Sequence, residues 1–120
     1  MGVAKAGIGW RFKGNALHIT PNVIFCLQMI QSFKDAETKQ LYEEGYSRRW
    51  SAIKAVALRK LDQIDAASSL SSLRVPPGNR LEALRDDRKG QHSIRINDQY
   101  RICFVWKIDG AHEVEIADYH

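Results

Sequence analysis

The chain has 120 residues and a hydrophobic content of 44%, enough to bury one real core and too short for two ordinary domains. Eighteen Lys and Arg against fourteen Asp and Glu leave a formal charge of +4, which suits a phosphate-rich partner without requiring one. The two cysteines, Cys26 and Cys103, show neither CxxC spacing nor a histidine cluster, and no apolar run nears the roughly 20 residues that span a bilayer. These features speak against a disulfide scaffold, a zinc module and a membrane protein, and for reduced thiols in a cytoplasmic one.

Residues 1–28 stand apart. They hold four of the eight glycines and none of the fourteen acidic residues, and their periodicity is poor. They read either as an arm of the domain, adding a strand through residues 22–27, or as upstream sequence ahead of a native start at Met29. The change in composition favours the second reading.

From Met29 onward the patterning is clear. Residues 30–33 are apolar at their ends, as a first strand would be. Asp35 is placed to cap a helix that starts at Ala36, carries Glu37 in its first turn and stops at Gly45. A longer helix is predicted over residues 47–66, because Trp50, Ile53, Ala57, Leu61 and Ile64 recur at intervals of three and four. Lys54, Arg59, Asp62 and Asp65 lie on its other face. Ser68 or Ser69 can cap a short turn through Leu73, and Pro76-Pro77-Gly78-Asn79 forces a turn.

Beyond that turn the period becomes two. Strands are predicted over residues 80–85, 91–96, 100–106 and 113–119, with Asn97-Asp98-Gln99 as a hairpin link and Asp109-Gly110 as the last turn. Helices followed by a run of strands indicate an α+β domain. An N-terminal strand and two helices would pack on one face of an antiparallel sheet of four to five strands, leaving the other face to hold a site.

Candidate chemistry concentrates in the second half. Arg101 interrupts an apolar strand and shares a face with Cys103 and Val105, and a charge kept there needs a partner or a task. Arg85, Arg88, Lys89 and Arg95 lie on or beside strands, where they are either solvated surface charge or phosphate ligands. His92 alternates with Ile94 and Ile96. It is either a structural aromatic on the core side or an acid–base group. Asp118-Tyr119-His120 places a carboxylate, a phenol and an imidazole in succession, as a polar tail or as a site.

The run Ser93-Ile94-Arg95-Ile96-Asn97-Asp98-Gln99-Tyr100-Arg101-Ile102, with Asn79-Arg80-Leu81-Glu82-Ala83-Leu84 before it and Asp118-Tyr119-His120 after it, resembles the HigB toxins. These are the plasmid-maintenance killer proteins of the RelE superfamily, and the chain resembles their GraT-type members. The resemblance covers Met29 to His120 and leaves out residues 1–28. It implies the toxin of a type II toxin-antitoxin pair: a ribosome-dependent, metal-independent endoribonuclease that cuts messenger RNA and stops translation. The implied partners are a HigA-like helix-turn-helix antitoxin, the ribosome and mRNA, with DNA reached only through the antitoxin. No membrane, metal or cofactor is implied. Alternatives are a non-catalytic RNA- or ribosome-binding module and a degenerate toxin serving as co-repressor.

Cleavage by the RNA's own 2′-hydroxyl needs proton transfer and charge stabilisation at phosphorus. On the resemblance, His120 moves protons, Arg101 supports the phosphorane, Tyr119 stacks on a base or donates a hydrogen bond, and Asp118 orients a cationic neighbour. Arg85, Arg88, Lys89 and Arg95 would hold RNA backbone. Glu82 stands where some family members carry a histidine. Glu82 or His92 would then complete the acid–base set, or the ribosome would supply the missing group.

Overall fold

The computed structural model describes residues 29–118, so the expectations for residues 1–28 and for Tyr119 and His120 lie outside the described residues. Helix α1 spans Ala36–Glu44. Asp35 Oδ2 accepts from the Thr38 amide at 3.0 Å, satisfying one of the donors that a helix start leaves open. Gly45 closes the helix in the left-handed region at φ 73°. Asp35→Ala is expected to cost about 1 kcal/mol in a urea titration, and an unchanged midpoint would deny the cap its role.

Helix α2 spans Lys54–Ala66, preceded by a 3-10 turn at Ser51–Ile53. The helix therefore starts later than the predicted residue 47. Its stripe is as expected: Trp50, Ala57, Leu61 and Ile64 are buried. Ser69 accepts from the Ser72 amide and caps the 3-10 turn Leu70–Arg74.

Among the described residues the sheet has four antiparallel strands in the order β1 (Glu82–Ala83), β2 (His92–Arg95), β3 (Arg101–Lys107) and β4 (Gly110–Ala117). The predicted strand over residues 80–85 shrinks to two residues, because Arg80 and Asp86 adopt positive φ of 46° and 54° and end the extended run at both sides. The last strand begins at Gly110 and not at residue 113, since Ile108 and Asp109 alone make the turn. Residues 30–33 form no full strand. They run alongside β4 in parallel, with Gln31 N donating to Ala111 O and Val114 N to Ser32 O, and with one bridge at Phe33.

Between Cys103↔Glu115 and Val105↔His112 the register slips by one residue, a bulge on β4 where Glu113 takes φ 52°. The slip lets both Ala111 and Val114 face the helices. Ile94, Ile96, Ile102, Phe104, Val114 and Ile116 meet Leu41, Ala57, Leu61 and Ile64 in one core. Each such aliphatic or aromatic side chain contributes about 1.5–3 kcal/mol by burial. The described helices thereby fill one sheet face, and the other carries a smaller buried cluster of Leu84, Cys103 and Ala117.

Candidate functional site

Residues paired directly across antiparallel strands share a face. Glu82 pairs with Ser93, Ser93 with Cys103, Cys103 with Glu115, and Arg101 with Ala117. Ile94, Ile102 and Ile116 point to the helices, so this alternate set lies on the face that no described helix covers.

Arg101 is the centre of that face. Its side chain is only 13% exposed, and such a charge is tolerable only when hydrogen-bonded. Nε donates to Ser93 Oγ at 2.7 Å, and Nη2 donates to the Arg80 carbonyl at 2.7 Å. Nη2 also stands 3.6 Å from Glu82 Oε1. Nη1 makes no hydrogen bond with the described residues, so one edge of the guanidinium fork is open to a ligand.

Next to it, Glu115 Oε2 accepts from Arg88 Nη1 at 3.0 Å and lies 3.5 Å from Lys34 Nζ. Arg88 is steadied by Gln91 Oε1 at 3.2 Å. Cys103 lies beneath, fully buried, and burial pushes its thiol above the ordinary range, which favours the neutral thiol. Around Arg101, Lys34 and Arg88 face Glu82 and Glu115, and on the adjoining loop the exposed Arg85 and Lys89 flank Asp86 and Asp87. The unbonded edge of Arg101 itself suits an anion.

The structure thus brings Arg101, Glu82 and Arg88 together. Arg95 sits opposite Arg101 in the register, but its guanidinium is paired with Asp98. Asp118 follows β4 and accepts from Gln99 Nε2 at 3.1 Å. Sequence reasoning passed over Ser93, Lys34 and Glu115. Ser93 was detectable, as a small hydroxyl inside an apolar strand two residues before Arg95.

His92 lies elsewhere. It pairs with Phe104 on the helix side and, with Leu70, Ser71, Arg74, Leu81 and Ala83, lines a cleft of about 260 Å³. Its Nδ1 is buried without a hydrogen bond among the described residues. Burial, and then the Arg74 charge, hold its pKa below the ordinary 6.5. Between the lowered folded value and about 6.5 the unfolded chain binds more protons, so stability falls as pH drops through that window. His92→Gln is expected to shrink the loss of thermal midpoint between about pH 7 and pH 5. Identical losses in both proteins would show that His92 does not titrate this way.

Residues 31–120 match the family described as RelE-like toxin of type II toxin-antitoxin system HigB. The chain is 46% identical over 85 residues to Toxin HigB-1 of Vibrio cholerae, covering 69% of this chain and 88% of that protein. It is 32% identical over 97 residues to Endoribonuclease HigB of Proteus vulgaris, covering 77% of this chain and 100% of that protein. An uncharacterized protein of Haemophilus influenzae is 36% identical over 81 residues, which are 66% of this chain and 78% of the relative.

Proposed function

The chain belongs to the RelE-like HigB toxins of type II toxin-antitoxin systems, and from that premise we propose that it is a ribosome-dependent endoribonuclease acting on messenger RNA. The observation that carries this reading is the open fork of Arg101, fixed by Ser93 and the Arg80 carbonyl on the sheet face opposite the described helices. The name of the Proteus vulgaris relative supports the same activity.

The reaction is metal-independent. The RNA's 2′-hydroxyl attacks the neighbouring phosphorus, forming the P–O2′ bond and breaking the P–O5′ bond. Arg101 receives the phosphate oxygens as charge builds on them, since guanidinium stays protonated and forks onto two acceptors. His120 transfers the protons, Tyr119 stacks on a base, and Asp118 orients a cationic neighbour. Glu82 stands within 3.6 Å of Arg101 and takes the acid–base place that a histidine holds in some family members. Arg85, Arg88 and Lys89 bind backbone, and Arg95 does so on releasing Asp98. His92 faces a different cleft and serves the fold. Because the protein is poor in strong acids and bases, the ribosome supplies part of the site, and free RNA is a poor substrate.

A helix-turn-helix antitoxin silences the chain and carries it to DNA. Inducing the full chain alone should arrest growth and leave messages with new 5′ ends inside translated codons, seen by primer extension. Co-expression of a neighbouring helix-turn-helix frame should restore growth. Arrest with intact messages would overturn cleavage in favour of a binding module, and no arrest would leave only a co-repressor.

A further inference from the structure

The residue just before Arg80 is wholly buried and polar. Asn79 has no exposed surface, and every part of its amide is engaged. Oδ1 accepts from Lys60 Nζ on α2. Nδ2 donates to the Leu73 carbonyl at 3.0 Å, to Gln63 Oε1 at 3.0 Å and to the Val75 carbonyl at 3.4 Å. Only an amide of this length offers an acceptor to the lysine and two hydrogens to the opposite side. Asp would lose the donors, and Leu would lose both and strand the buried ammonium.

Arg80, the next residue, is held at φ 46° and ψ 56°. A non-glycine residue there is strained by about 1–3 kcal/mol and persists only where its surroundings fix it. The conformation aims the Arg80 carbonyl at Arg101 Nη2, 2.7 Å away. That carbonyl and Ser93 Oγ are the two fixed acceptors of the guanidinium. A line of contacts therefore runs from Lys60 on the helix side of the domain through Asn79 and the Arg80 carbonyl to Arg101 on the open face. Lys60 itself is buried, with its pKa lowered by desolvation and then by Arg59 and Arg95, as a group held for its hydrogen bond and not for surface charge would be.

We propose that Asn79 is a positioning residue for Arg101: its buried amide locks the strained Arg80 carbonyl that sets the angle of the guanidinium fork. The catalytic consequence rests on reading Arg101 as the phosphate ligand. The geometric claim does not.

Two measurements separate these. In nitrogen-15 spectra of the full chain, the Arg101 Nη–H signals should be resolved in the parent, because Nε is held by Ser93 Oγ and Nη2 by the Arg80 carbonyl, which blocks rotation of the group. In Asn79→Ala they should merge by free rotation, while the backbone amides of β3 stay in place. On translating ribosomes, Asn79→Ala should lower kcat by roughly ten- to a hundred-fold with KM unchanged, as expected for a misaimed charge. In the Arg101→Ala background the same change should cost less than about two-fold, because a residue acting through Arg101 has nothing left to position. Should Asn79→Ala fail to fold, Lys60→Met cuts the same line from the helix side and should give the same spectral and kinetic changes. Unmoved Nη–H signals in a folded variant, or losses that multiply in the double variant, would overturn the proposal. Merged signals with an Arg101→Ala protein that still cleaves would uphold the positioning and refute the catalytic reading.

Discussion

Arg101→Ala is expected to abolish growth arrest and to slow message cleavage by about 10²–10³-fold, the usual loss when one preorganised charge-stabilising donor is removed. The protein should remain folded. The guanidinium keeps 13% of its side chain exposed, so once it is removed water can reach the Ser93 hydroxyl and the Arg80 carbonyl. Arg101→Lys should recover little. An ammonium is a point charge, and it cannot hold Ser93 and the Arg80 carbonyl while presenting a second edge to phosphate. Rates on stalled ribosomes, read beside a thermal melt of each protein, separate lost chemistry from lost fold. Parent-like rates for Arg101→Ala would remove the centre of the proposed site.

Gly110→Ala should destabilise the fold by about 3 kcal/mol or more, a large share of the roughly 5–15 kcal/mol that holds a domain together. Gly110 opens β4 at φ 121°, where a side chain is strained on its own account. A Cβ there would stand 2.1 Å from the Met29 carbonyl oxygen and 2.9 Å from the Met29 nitrogen, both backbone atoms. Met29 cannot give way alone. Gln31 Nε2 donates to Met29 O at 3.2 Å and to Asp109 O at 2.7 Å, and the Ile30 amide donates to Asp65 Oδ1 at 2.9 Å. Relief would peel residues 29–32 from the sheet edge. Urea unfolding should show the lower midpoint, and hydrogen exchange should show Gln31 and Lys34 amides losing protection first. A shift under about 0.5 kcal/mol, the scale of ordinary surface changes, would mean that the two segments are not in contact.

Much of this fold is legible in the sequence because local chemistry decides it. Asp35, Gly45 and the stripe from Trp50 to Ile64 act within a turn or two of their own positions, and the structure agrees with each. The α+β plan follows from the change of period after Asn79. The misread elements depend on contacts distant in sequence. Arg80 leaves the extended run at positive φ beside Asn79, whose buried amide meets Lys60 nineteen positions away. Residues 30–33 take their partner from β4, more than 75 residues on. The bulge at Glu113 breaks the alternation that placed the last strand.

The site was partly legible for the same reason. Arg101 is conspicuous as a charge in an apolar strand, and alternation alone puts it beside Cys103. Its fixation by Ser93 needs the β2–β3 register, and its neighbours Lys34 and Glu115 need the fold. The roles of Tyr119 and His120 come from the family resemblance, beyond the described residues.

Arg101-centred cleavage of messenger RNA is tested most directly by adding the purified full chain to ribosomes stalled on a message of defined sequence. The expected result is a cut within the codon in the decoding site, bearing the 2′,3′-cyclic phosphate left by 2′-hydroxyl attack, and the same cut slowed by about 10²–10³-fold with Arg101→Ala. An intact message with the parent protein, or equal cutting by folded Arg101→Ala, would contradict it.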